Sequence, residues 1–270
     1  MSTSGSLWEL FAGARIYDLA QPLQQRMPVS PNHPGFRMAL LRRHGDLVRA
    51  DGGSASNEMI MIGGHTGTHI DALCHVSHEG FLHGGYNASD AQKGGSFSVL
   101  GVETIPIVAC RGVMLDIPAL FGVEVLAPGT PITAADLEKA SERQGVEVRA
   151  GDAVLIRSGW PRYWHDSDTF VGLTHGAPGP DESGAAWLAD RKIRVSGAET
   201  IAYECIHPGK GHAVLPVHRI LLVENAIHII EVLNLSELAR EKVSEFLFIL
   251  TPLKIVGGTG SPVRPIAVVP

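Results

Sequence analysis

The chain has 270 residues, 44% hydrophobic and 19% charged, with a formal net charge of −6. That is a globular composition able to bury a substantial core, and its acidic balance excludes a general nucleic-acid binder, which needs an excess of Lys and Arg. No apolar run approaches the roughly 20 residues that span a bilayer, and the three scattered cysteines (Cys74, Cys110, Cys205) with no leader pattern in Met1–Gly13 set the expectation of a reducing cytoplasm.

Taken in chain order, Leu7–Phe11 has short helical character, Arg15–Leu19 reads as a strand, and Pro22–Pro34 is a loop carrying four prolines. Phe36–Leu41, Leu47–Ala50 and Asn57–Ile62 are strand candidates, the last entering Gly63-Gly64. A stretch dense in His and Gly runs from His65 to Gly85, followed by strand candidates Ile105–Ala109 and Val113–Ile117. Thr133–Gln144 is the clearest amphipathic helix, with Thr133 as N-cap, Asp136 three residues on and Gly145 as its stop. Beyond it, Ala153–Arg157 and Val195–Ala198 read as strands and Ser183–Asp190 as a helix. Leu221–Glu224 and Ile227–Val232 are strand candidates around Asn225, Leu235–Arg240 is a short helix, and Phe246–Pro252 and Pro265–Val269 close the chain as strands. With no internal repeat and no linker composition, residues 1–270 form one α/β or α+β domain.

Five of the 13 histidines (His65, His69, His75, His78, His83) fall within 19 residues. The tight core is His65-Thr66-Gly67-Thr68-His69-Ile70-Asp71, followed by His75. Singly, each is a loop or core histidine; jointly, imidazole and carboxylate donors suit Zn, Mn or Fe(II) better than Ca or Mg. On one continuous strand, positions 65 to 75 span roughly 33 Å, too long for one site. On one continuous helix the pairs 65/69 and 71/75 sit about 120° apart. A strand end, a glycine turn at Gly67 and then a helix start bring His65, His69 and Asp71 together, with His75 one helical turn beyond as a base that need not touch the metal. Cys74, pointing away from its neighbour His75, reads as structural, and His78, Glu79 and His83 read as loop residues.

A second constellation runs from His212 through His218 to Glu224. Glu224 ends an apolar run, and a carboxylate there requires a partner, either a metal or an arginine.

His-Thr-Gly-Thr-His-Ile-Asp with His75 resembles the HxGTHxDxxxH signature of the cyclase-like metal-dependent hydrolases, a family that includes bacterial kynurenine formamidase and isatin hydrolase. Tyr17-Asp18-Leu19, Arg111–Asp116, Gly151–Trp160 and Gly197–Ile201 are similar to further segments of that family, so the resemblance extends over most of the chain. It implies a compact swivelling β/β/α fold around a barrel-like sheet, usually dimeric or larger. It also implies metal ligation by His65, His69 and Asp71, with His75 as general acid/base. In its two-metal members a later His and a Glu twelve residues on complete a second site; His212 and Glu224 have that spacing here, so one or two Zn or Mn ions are expected. Leu73 stands where formamidases carry Pro, and Glu199 where Asp is common, which turns the expectation from kynurenine formamidase proper toward hydrolysis of a cyclic amide, lactam or lactone.

The expected chemistry is attack by activated water on a small cyclic or N-acyl substrate, with His75 shuttling the proton. Trp160, Phe81, Tyr163 and Trp164 are candidates for an aromatic pocket wall or for ordinary packing, and Arg157 for a carboxylate contact or a structural salt bridge. A serine hydrolase is disfavoured because Ser158 lacks the G-x-S-x-G elbow, and a zincin because HExxH is absent. The non-enzymatic alternative is a metal-stabilised binding module, closed by four protein ligands.

Overall fold

The computed structural model describes residues 11–270. The helical expectation at Leu7–Leu10 lies outside them. In chain order the main strands are β1 (Arg15–Asp18), β2 (Arg37–Arg42), β3 (Asn57–Met61), β4 (His69–Asp71), β5 (Val108–Asp116), β6 (Ala153–Arg157), β7 (Val195–Ala198), β8 (His228–Glu231), β9 (Glu245–Leu250), β10 (Gly260–Pro262) and β11 (Ile266–Val269). Nine of them form one curled, barrel-like sheet in the order β1-β11-β9-β5-β6-β7-β8-β4-β10. The centre, β5-β6-β7-β8, is parallel and the wings are antiparallel. Among the described residues, β2 and β3 pair only with each other, as a separate hairpin.

The central strands read as continuous apolar runs because both faces of the sheet are covered. Alternate residues divide between two cores: Met114, Leu155 and Ile230 face one, while Val113, Leu115, Val154, Ile156 and Ile229 face the other. Two helices, α1 (Ala134–Gln144) and α2 (Glu182–Asp190), supply Leu137, Ala140, Ala185 and Leu188 to the second core. α1 starts where the sequence says it should. Thr133 and Asp136 form a reciprocal capping box, and Gly145 ends the helix at φ 67°.

Four expectations change. Ile105–Ala109 and Val113–Ile117 are not two strands; β5 runs unbroken through Gly112, where a side chain would collide with the Phe246 ring (2.2 Å from a Cβ). Leu47–Ala50 is the tip of the β2–β3 hairpin, held by a single Val48–Ser54 bridge. Leu221–Glu224 is not a strand but part of a π-helix, Arg219–Glu224, continuing the short helix Pro216–His218. The helix start expected after the Gly67 turn is absent: His69–Asp71 is β4, and the chain leaves it into a turn closed by His75 N–H donating to the Ala72 carbonyl at 3.0 Å. Among the described residues, no helix is long and apolar enough to cross a membrane.

Candidate metal centre

β4 is three residues long, and His69 and Asp71 at its ends share a face by the two-residue period of a strand. Ile70 between them points into the first core. β8 pairs antiparallel with β4, and Glu231 sits directly opposite His69. The fourth residue, His218, comes from the helix preceding β8. Its Nε2 lies 3.7 Å from Asp71 Oδ2 and 3.2 Å from Glu231 Oε1, while His69 Nε2 lies 3.6 Å from Asp71 Oδ1 and 3.3 Å from Glu231 Oε2. All four side chains are buried.

Both imidazoles are held from behind. His69 Nδ1–H donates to the Gly67 carbonyl at 2.8 Å, so the tautomer is fixed with Nε2 facing the carboxylates. His218 Nδ1–H donates to Glu204 Oε1 at 2.6 Å, and Glu204 also accepts the backbone N–H groups of Val217 (3.1 Å) and His218 (3.0 Å). Gly67 sits at φ 69°, and a Cβ there would lie 2.7 Å from Leu23, so the turn that aims His69 inward requires glycine.

His65 and His75 form an adjoining layer. His65 Nδ1 is 2.8 Å from Asp71 Oδ1, and its Nε2 is 2.9 Å from Thr259 Oγ1. The His65 ring stacks on His75 (centroids 3.9 Å apart) and on His33 (5.1 Å). Two sets of donors therefore overlap at one carboxylate: His69, Asp71 and Glu231, and His65, Asp71 and His75, each with ligand atoms within 4.8 Å of one another.

The electrostatics follow from that crowding. Burial alone favours neutral imidazole, but the hydrogen bond to Glu231 and the charges of Glu231 and Asp71 raise His69 to about 8. Against the same burial, Glu204 and Glu231 raise His218 to about 10. His75, partly buried and with no close carboxylate hydrogen bond, is lowered by that desolvation to about 4. Burial would raise Asp71, yet His75, His65 and His69 hold it well below the usual carboxylate range. Among the described residues, Asp71 Oδ2 is buried with no hydrogen-bond partner. A buried carboxylate shared by two sets of imidazole and carboxylate donors, with one oxygen left without a donor, is a donor set that could hold a divalent transition metal.

His65, His69, Asp71 and His75 are thus brought together, and His212 and Glu224 are not. Glu224 is about half exposed and pairs with Arg219 at 3.0 Å, the arginine alternative already open for it. His212 Nδ1 lies 3.4 Å from Ser30 Oγ, outside both donor sets. The His–Glu pair that faces Asp71 is His218 and Glu231. They stand thirteen residues apart in sequence, so a search at a spacing of twelve misses the pair. A signal was present: Glu231 is a carboxylate within the apolar run Ile229–Leu233, as Glu224 is one at the end of an apolar run. Glu204 carried no such signal.

Trp160 is corrected as a pocket residue. It is fully buried in a third core cluster, where its Nε1–H donates to the Phe170 carbonyl at 2.9 Å. Phe81 is 49% exposed. Trp164 packs beside Phe170, and Arg157 is bound to Asp116 at 2.7 Å, a structural salt bridge. Glu199, noted in the sequence, is a buried staple that accepts the backbone N–H groups of Ser158, Gly159 and Leu235.

A family model described as "Putative cyclase" matches residues 17–205, well over half of the chain. The chain is 27% identical over 225 residues to isatin hydrolase from Roseibium aggregatum, covering 82% of this chain and 78% of that protein. A crystal structure described as a novel cyclase superposes with a TM-score of 0.85 at 27% identity, over 96% of this chain and 90% of the other. An isatin hydrolase bound to the product analogue thioisatinate superposes with a TM-score of 0.73 at 25% identity, over 100% of both chains.

Proposed function

The chain belongs to the cyclase family, and from that premise we propose that it is a metal-dependent hydrolase that opens a cyclic amide, lactam or lactone of a small substrate. The observation that carries the reading is the buried Asp71 carboxylate, shared by both donor sets, whose Oδ2 has no hydrogen-bond partner. His69, Asp71, His218 and Glu231 would hold the ion, with His65 holding Asp71 in place. Two nitrogen and two carboxylate donors suit Zn or Mn, and the second donor set, through His65 and His75, leaves a second ion open.

When bound, the divalent cation supplies Lewis acidity and a nucleophile at neutral pH. The chain's own residues do the rest. Glu204 and the Gly67 carbonyl fix the imidazoles, so no reorganisation is needed as charge develops. His75 is partly exposed and belongs to the donor set of His65 and Asp71 rather than that of His69 and Glu231. It takes a proton from the attacking water at its free ring nitrogen and returns it to the departing nitrogen or oxygen. The likeness to isatin hydrolase supports ring opening as the reaction.

The test is a screen of the metal-reconstituted protein against isatin, simple lactams, enol-lactones and formanilides. Chelator-sensitive ring opening is the expected result. Turnover that survives complete metal removal, or deformylation without any ring opening, would replace this reading.

A further inference from the structure

A cleft of about 710 Å³ opens between the segments that follow β1 and β9 and the end of β10. Its size falls within the range of small-molecule sites. It is lined by none of the residues of the metal centre. Its walls are largely apolar, with Pro22 and Leu23 from the first segment, Leu253 from the second, and Pro262 and Val263 from the third. At its rim Arg264 donates twice to Asp18 Oδ2, at 2.7 and 2.9 Å, so these two charges neutralise each other.

Gln21 is the exception in those walls. It is 6% exposed, it lines the cleft, and its Nε2 is buried with no hydrogen-bond partner among the described residues. Its backbone is pinned, because Gln21 N–H donates to Thr68 Oγ1 at 2.8 Å and Thr68 Oγ1–H donates to the Val232 carbonyl at 2.6 Å. A buried amide N–H without an acceptor is costly, and a leucine of similar size would occupy the place without that cost. A glutamine carboxamide offers both a donor and an acceptor. A ligand that answers both at once must carry its own C=O and N–H on one edge. Open-chain secondary amides do not, because they are held trans; a small lactam is held cis by its ring. Such a lactam is also uncharged and otherwise hydrocarbon, which suits the apolar walls and the neutralised rim.

We infer that this cleft is a second ligand site, separate from the metal centre, that takes a small neutral lactam through paired hydrogen bonds to the Gln21 carboxamide. The site binds the lactam intact, so it does not rest on the ring-opening reaction proposed for the metal centre.

Titration of the metal-free full chain with δ-valerolactam, followed by ligand-observed NMR, tests this without turnover. Saturable binding with a Kd of about 1–10 mM is expected for so small a ligand. Gln21→Leu, which removes the paired hydrogen bonds, should weaken it at least ~10-fold with unchanged far-UV circular dichroism. Leu253→Trp, which fills the cleft from an exposed position, should weaken it as much. N-methyl-δ-valerolactam keeps the ring and the carbonyl but lacks the N–H, and should bind the wild type at least ~10-fold more weakly. Absence of saturable binding up to ~50 mM overturns the inference, as does an affinity unchanged in either folded variant or equal for the N-methyl compound.

Discussion

Glu204→Gln isolates what a residue behind the metal centre contributes. The carboxylate accepts three hydrogen bonds: Oε1 from His218 Nδ1 at 2.6 Å and from the His218 N–H at 3.0 Å, and Oε2 from the Val217 N–H at 3.1 Å. Glutamine keeps one acceptor oxygen. Placed toward His218, it preserves two of the bonds and turns its NH₂ group on the Val217 N–H, donor against donor. A buried N–H left without an acceptor costs about 1–3 kcal/mol, so the metal-free protein should melt earlier by that equivalent. Loss of the negative charge makes His218 a poorer ligand, and removal of such a partner typically weakens metal binding 10–100-fold, about 1.4–2.7 kcal/mol. Glu204→Ala should lose at least as much. Titration of the metal-free protein with Zn or Mn against a competing chelator reads the affinity directly, without turnover. Equal affinities for wild type, Glu204→Gln and Glu204→Ala would refute the claim that Glu204 holds His218 on the metal.

Three further outcomes are expected. Glu231→Ala should purify without metal, whereas Glu224→Ala, which removes only a half-exposed partner of Arg219, should retain it with a stability change within ~1 kcal/mol; elemental analysis of the two variants distinguishes the carboxylates, and the reverse pattern would restore Glu224 as the ligand. His75→Ala should keep its metal and lose at least ~10²-fold in turnover; near wild-type turnover would remove the proton-transfer role. Metal uptake should release protons in a pH-dependent number. His69 and His218 are raised to about 8 and about 10, so their stabilising charge in the metal-free protein is complete below about 6.5 and lost as pH rises through those two values. Calorimetry in buffers of different ionisation heat should report about two protons at pH 7 and about one near pH 9, with affinity falling as pH falls; uptake independent of buffer at pH 7 would contradict the arrangement.

The sequence alone determined the local features. The α1 capping box and glycine stop, the apolar central strands and the short-range His65/His69/Asp71/His75 cluster are legible because each depends on neighbours within a turn or a strand. Backbone geometry then leaves few choices: only a turn at Gly67, with His69 and Asp71 on one face of a strand, lets these side chains converge. Tertiary structure decided the rest. His218 and Glu231 lie about 150 residues from β4 in sequence and reach it only because β8 pairs with β4. Trp160 is indistinguishable in sequence from a pocket aromatic until three separate segments close over it. The β2–β3 strands carry the apolar residues of buried strands, yet among the described residues no element covers them. Periodicity records which side chains share a face. Only the closure of distant segments on one another, at the entropic cost of ordering the chain between them, fixes what that face meets.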